Sequence, residues 1–248
     1  MKNFLFRMAN KLYEHCYPAY YPLYASWKAL TDRRERVLFR QLIQPGMTVV
    51  DVGANIGVYT RFFSTLTEGA GRVHAFEPDP CNFKRLKGNV GNFENVTLNN
   101  AAIGEHSGTI KLYVSDELNV DHRTFDSGDG RKGIDVAMVS LDDYFVSGQR
   151  VDLIKIDVQG YELSVLRGAR RVLKENPHIK VIMEFWPYGL TKASVAPSDV
   201  IELIQSFGFE LRTTRDPRGS LFDGSVLNSK EVDHYCNLLL TMHPSTRC

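Results

Sequence analysis

The hydrophobic pattern of the chain changes character near residue 47. Ahead of that point the apolar positions are aromatic and crowded: Phe4, Phe6, Tyr13, Tyr17, Tyr20, Tyr21, Tyr24 and Trp27, with Pro18 and Pro22 breaking the middle. This predicts a helical arm or cap over residues 1–36, with a substrate lid or a membrane-interface anchor as the other readings. A helix is expected from Thr31 to Leu42, with Thr31 and Asp32 as N-cap candidates and Val37, Leu38 and Ile43 on its apolar face. From Met47 short apolar runs alternate with helical patterns. Strands are expected at 48–52, 72–76, 96–99, 109–114, 136–141, 151–156, 180–185, 210–214 and 237–242, and helices at 161–174 and 197–207. Such alternation gives a parallel sheet covered on both faces, in one domain over residues 37–248. The last two strands are joined by a Gly- and Pro-containing stretch, which predicts a terminal hairpin with one antiparallel strand in the sheet. Residues 115–133 read as a long polar loop of the kind that often carries function.

Composition narrows the function classes. Among 248 residues, 43% are hydrophobic and 24% charged, which excludes disorder. The 30 basic residues nearly cancel the 29 acidic ones, so no net basic field for nucleic acid exists. The four cysteines (Cys16, Cys81, Cys236 and Cys248) form no CxxC pair, which argues against a zinc ribbon and suits a reducing, cytoplasmic location. No run approaches the roughly 20 apolar residues of a membrane span, and the first ten residues do not read as a signal peptide.

The strongest chemical signal is Val50-Asp51-Val52-Gly53-Ala54-Asn55-Ile56-Gly57, a strand running through a glycine turn into a helix. In parallel sheets this first turn is where nucleotides bind. A dinucleotide fingerprint fails, because Asn55 and Val58 stand where its second and third glycines belong. Asp51 suits a cationic ligand better than a pyrophosphate, and S-adenosylmethionine (SAM) is cationic at its sulfonium and amino groups. Glu77 ends the second strand, 20 positions after Gly57, where an acidic residue accepts from ribose hydroxyls. Asn100 is open to two readings, an adenine or ribose contact or a turn cap. The run Lys155-Ile156-Asp157-Val158-Gln159-Gly160-Tyr161-Glu162 leaves a strongly apolar strand, with Lys155 and Asp157 on one face. Glu184 in Met183-Glu184-Phe185-Trp186-Pro187 ends another strand at the same edge.

With these blocks in view, the sequence resembles the FkbM family of SAM-dependent methyltransferases. The matching text is VVDVGANIGVYT (49–60), VHAFEPDPCNFKRLKGNV (73–90), NNAAIG (99–104), DHRTFD (121–126), VSLDDYF (139–145), VDLIKIDVQGYELSVLRGA (151–169) and VIMEFWP (181–187). Gln159 stands where the family pattern often has Glu. The resemblance implies a class I, Rossmann-like fold: a mostly parallel seven-stranded sheet with a C-terminal antiparallel strand and helices on both faces. It implies O-methylation of a sugar, glycan or natural-product hydroxyl. The cofactor set is then Asp51, Gly53, Asn55, Gly57, Tyr59, Glu77, Asn100 and Asp157.

A poor nucleophile such as a sugar hydroxyl calls for a general base. The candidates are His122, Asp157 and Glu184, with Lys155 orienting a carboxylate or the acceptor. Arg123 and Asp121 are the acceptor-binding candidates, Arg123 for an anionic acceptor. No metal is expected, because the spacing carries no ligand motif. The expected partners are a small-molecule or glycan acceptor and no nucleic acid, with peripheral membrane contact and a homodimer as further readings. The competing function is a non-catalytic SAM-binding scaffold or membrane-docked partner protein.

Overall fold

A computed structural model describes residues 11–13, 15–114, 123–124, 130–218, 221–227, 229, 231 and 234–242. In chain order its elements are α1 (Tyr17–Thr31), α2 (Arg33–Leu42), β1 (Thr48–Val52), α3 (Val58–Thr67), β2 (Arg72–Phe76), α4 (Pro80–Val90), β3 (Val96–Asn99) and β4 (Ala102–Ile103). There follow β5 (Gly108–Val114), β6 (Lys132–Val139), α5 (Leu141–Tyr144), β7 (Leu153–Ile156), α6 (Glu162–Arg167) and α7 (Arg170–Glu175). The chain ends with β8 (Lys180–Phe185), α8 (Pro187–Lys192), α9 (Pro197–Ser206), β9 (Phe209–Thr213) and β10 (Cys236–Met242).

β1 is buried from Val49 to Val52, so it needs neighbours on both edges and cover on both faces. It pairs in parallel with β2 and β7, and the full order is β3-β2-β1-β7-β8-β10-β9. β10 runs antiparallel to both of its neighbours, and the other strand pairs are parallel. The period-2 alternation sorts the core. Val50, Ile154, Val181 and Leu240 meet α6, α7 and α9 on one face. Val49, Leu153, Ile182 and Leu239 meet Phe39 of α2 and Phe63 of α3 on the other.

Local chemistry sets the boundaries. Asp79 caps α4 by accepting from Asn82 N at 2.7 Å, with Pro80 in the first turn. Ser140 caps α5 by accepting from Asp143 N at 3.0 Å. The expected single helix over 161–174 is two helices. Its midpoint, Gly168, lies so close to Gly104 that a Cβ would stand 1.9 Å from the Gly104 carbonyl oxygen. Asp142 then restarts the helix by accepting from Arg171 N and Val172 N, both at 2.9 Å.

Two further expectations change. Pro22 does not break the arm: α1 runs through it, and the missing amide falls in the second turn of the helix. The strands at 109–114 and 136–141 join a separate three-stranded sheet, β4-β6-β5, and the second of them begins at Lys132 and ends at Val139. Each buries one residue fully, Leu112 or Val136, so neither fits the two-sided interior of the main sheet.

Candidate active site

Several of the candidate residues collect at the carboxyl edge of β1, β7 and β8. Asp51 of β1 lies opposite Lys155 of β7 in the parallel register. Asp51 is fully buried, and its Oδ2 accepts from Thr60 Oγ1 at 2.7 Å. Its Oδ1 lies 3.6 Å from Lys155 Nζ, an ion-pair distance too long for a hydrogen bond. Burial pushes the Asp51 carboxyl up, and Lys155 and Thr60 oppose that shift. Lys155 Nζ stands 3.4 Å from Asp157 Oδ2 as well. Its pKa is raised because the charges of Asp157 and Asp51 outweigh the burial that would lower it.

Next along the edge, Gln159 takes a left-handed backbone (φ 54°) and turns its amide into the site. Its Nε2 donates to Asp157 Oδ1 at 3.0 Å and to Glu184 Oε2 at 2.7 Å. One neutral amide therefore bridges two carboxylates. Burial, then Asp157 and Glu162, push the Glu184 pKa well above the usual carboxylate range. The Asp157 carboxyl stays low, because Lys155 and Lys28 outweigh its burial.

The glycine turn has its own logic. Gly53 N and Ala54 N both donate to Phe76 O, and Gly57 N donates to Ala54 O. Asn55 N donates to Glu77 Oε2 at 2.8 Å and Ile56 N to Asn55 Oδ1 at 2.7 Å. All five amides from Gly53 to Gly57 are thus committed within the protein, which leaves this turn no nest for a pyrophosphate. Gly53 (φ +80°) packs so tightly that a Cβ would stand 1.9 Å from the Asp157 carbonyl oxygen. Glu77 is 5% exposed, and its other oxygen accepts from Asp79 N at 2.9 Å. Burial pushes its pKa up to about 8.

A family model, the methyltransferase FkbM domain, matches residues 51–211. The chain belongs to the FkbM methyltransferase family. It is a SAM-dependent methyltransferase. Similar relatives include the hexuronic acid methyltransferase AglP of Haloferax volcanii, 26% identical over 76% of this chain and 75% of AglP. The 2-O-methyltransferase NoeI of Sinorhizobium fredii is 28% identical over 79% of this chain and 85% of NoeI. The 31-O-demethyl-FK506 methyltransferase FkbM of Streptomyces tacrolimicus is 24% identical over 75% and 80%. Among solved structures, a candidate rRNA-methylase from Clostridium thermocellum superposes with a TM-score of 0.50. It is 12% identical over 84% of this chain and 95% of that one, a likeness of fold alone.

The donor set of this FkbM-family chain fits SAM. An acidic, deeply buried edge that offers carboxylates rather than free amides complements a sulfonium and an ammonium group. Other residues named from the sequence lie as follows. The Tyr59 hydroxyl meets Asp32 Oδ2 at 2.9 Å and Glu35 Oε2 at 3.2 Å, and its ring centroid lies 5.2 Å from Lys155 Nζ. Asn100 donates from Nδ2 to the carbonyls of Glu77 and Pro78, which is the turn-cap geometry. The Arg123 guanidinium lies 5.3 Å from the Trp186 ring centroid. Asp121 and His122 lie outside the described residues. Among the described residues, no group of three or more His, Cys, Asp or Glu is placed to hold a metal, and no helix is long and apolar enough to cross a membrane.

The arm reaches the same edge through residues that no motif singles out. Lys28, Asp32 and Glu35 line a cavity of about 80 Å³ together with Tyr59, Lys155, Asp157 and Glu184. Tyr24, Lys28, Asp32 and Glu35 follow one helical face at spacings of four, four and three, and that spacing is the signal that was available. Asp32 caps nothing with its side chain: it pairs with Lys28 at 2.7 Å across the junction of α1 and α2.

Proposed function

We propose that this enzyme transfers the methyl group of SAM to a hydroxyl of a sugar or glycan acceptor. The observation that carries the reading is the Asp157–Gln159–Glu184 bridge set beside the Asp51–Lys155 pair. The names of AglP and NoeI, a hexuronic acid methyltransferase and a 2-O-methyltransferase, support a sugar acceptor.

Bound SAM would supply a methyl on a sulfonium, an electrophile already activated for in-line attack by oxygen. The chain's own residues then have three tasks. Asp51 and Asp157 face the cationic end of the cofactor, and Glu77 keeps lone pairs for the ribose hydroxyls beside the two amides it already accepts. Lys155 keeps Asp157 ionised, opposes the effect of burial on Asp51 and holds both carboxyls in place. Glu184 receives the acceptor's proton at the carboxylate oxygen that Gln159 leaves open, because its raised pKa makes it the stronger base of the pair. General-base catalysis of this kind is worth about 10²–10⁴-fold.

The test is transfer from methyl-labelled SAM to a panel of uronic acids, neutral sugars and glycans, with Glu184→Gln in parallel. The expected result is a labelled methyl ether from the wild type and a rate at least about 10²-fold lower from the variant. Labelling confined to nitrogen or carbon acceptors, or a Glu184→Gln enzyme as fast as wild type, would overturn the reading.

A further inference from the structure

The helical arm has a second face that the site does not use. Leu23, Trp27 and Leu30 recur at spacings of four and three and share one face of α1; Arg34 and Val37, three apart, share a face of α2 just beyond the junction at Asp32. The four apolar side chains are 64%, 53%, 77% and 44% exposed, and Arg34 is exposed too. Among the described residues this Leu-Trp-Leu face is the largest run of exposed apolar side chains on one helix, a surface suited to meet something apolar.

The surrounding charge identifies what that is. Arg33, Arg34 and Arg40 are exposed on α2. The two acids of the same helices, Asp32 and Glu35, are turned to the Tyr59 hydroxyl and do not offset them. The outward surface is therefore apolar along α1 and cationic at its far end, the pattern of a helix lying in a lipid headgroup layer. A tryptophan at such a position matches the level where indole rings settle. A second copy of this chain would bring the same sign of charge, and an apolar protein partner would leave the arginines unmatched.

We propose that the outward face of α1 and α2 docks this protein on an anionic bilayer surface. Leu23, Trp27 and Leu30 enter the acyl boundary while Arg33 and Arg34 meet lipid phosphates. The inner face of the same helix carries Lys28 into the active site, so docking brings the site to the membrane.

The experiment uses the full chain and vesicles of phosphatidylcholine, with and without phosphatidylglycerol. The chain has two tryptophans, and Trp186 is already buried, so a change in emission reports Trp27. Flotation with the anionic vesicles, a blue shift in emission and weakening by salt are expected. Each arginine near an anionic surface is worth about fivefold in partitioning, so Arg33→Gln with Arg34→Gln should weaken binding about 25-fold. Leu23→Ser with Leu30→Ser should abolish it. Trp27→Phe should remove the emission change and keep flotation. All these side chains are exposed, and thermal unfolding is expected to match wild type, which separates lost docking from lost folding. Failure to float, or flotation that these variants leave unchanged, would overturn the proposal. So would a dimer in light scattering that the Leu23→Ser, Leu30→Ser chain fails to form, because a second copy would then cover this face.

Discussion

Glu162, the first residue of α6, is fully buried; its Oε1 accepts from Gly160 N at 3.0 Å, and its Oε2 meets no hydrogen-bond partner among the described residues. Burial raises its pKa to about 7, with help from the charge of Asp157 and against the backbone amides that donate to it. In the unfolded chain the group titrates near the ordinary glutamate value of 4.5. The folded chain thus holds the proton more tightly, and the associated stability is complete below pH 4.5 and is lost as pH rises through 7. Moving the titration from 4.5 to about 7 corresponds to about 3 kcal/mol, of which about 2–3 kcal/mol falls between pH 5 and pH 8. Glu162→Gln removes this titration and still offers an oxygen to Gly160 N. Its buried NH₂ lacks a partner, which costs about 1–3 kcal/mol at every pH. The variant should therefore be less stable than wild type at pH 5 and should draw level with it or pass it by pH 8. In a chain of this length ~1 kcal/mol moves Tm by about 2–4 °C, so the Tm difference should swing by about 4–12 °C. Calorimetry of both proteins at the two pH values measures this. A Tm difference that does not change with pH would refute the reasoning.

Other sites give sharp expectations. Gly53→Ala forces a Cβ against the Asp157 carbonyl oxygen and should destabilise the fold by more than about 4 kcal/mol in denaturant titration; a wild-type midpoint would contradict the packing. Lys155→Met leaves Asp51 and Asp157 without their shared cation and should cost about 3–5 kcal/mol at pH 8. Part of that loss should return on acidification as the orphaned carboxylates protonate, and equal stability at both pH values would argue against the pairing. Gln159→Glu sets a third carboxylate between Asp157 and Glu184 and should move the acid limb of the pH–rate profile upward; an unmoved limb would remove Glu184 from the role of base.

Much of this was legible in the chain. The continuous apolar runs of β1, β7 and β8 and the Gly53-to-Gly57 turn mark the sheet and its candidate ligand edge, because two-sided burial and positive φ leave few residue choices. The antiparallel insertion of β10 was legible from the missing helix before it. The three-stranded side sheet was not, since a strand's period does not say which sheet it joins. The break at Gly168 depends on the approach of Gly104, 64 positions earlier, and no local pattern reports such a contact. The same holds for the site. Asp51, Lys155, Asp157 and Glu184 announce themselves at strand ends. The bridging of Asp157 and Glu184 by Gln159 appears only once β7 and β8 are neighbours. The entry of Lys28, Asp32 and Glu35 depends on how the arm lies across the sheet edge.

On the proposed assignment the edge formed by Asp51, Glu77 and Asp157 holds the cofactor. Equilibrium binding of S-adenosylhomocysteine can be measured by calorimetry to wild type, Asp51→Asn and Glu77→Gln, with NAD as the control ligand. Saturable binding to wild type, none of NAD, and at least about tenfold weaker binding to each variant are expected, the loss of about 1.4 kcal/mol that follows when one polar contact goes. Wild-type affinity in both folded variants, or binding of NAD in place of the adenosyl ligand, would contradict the assignment.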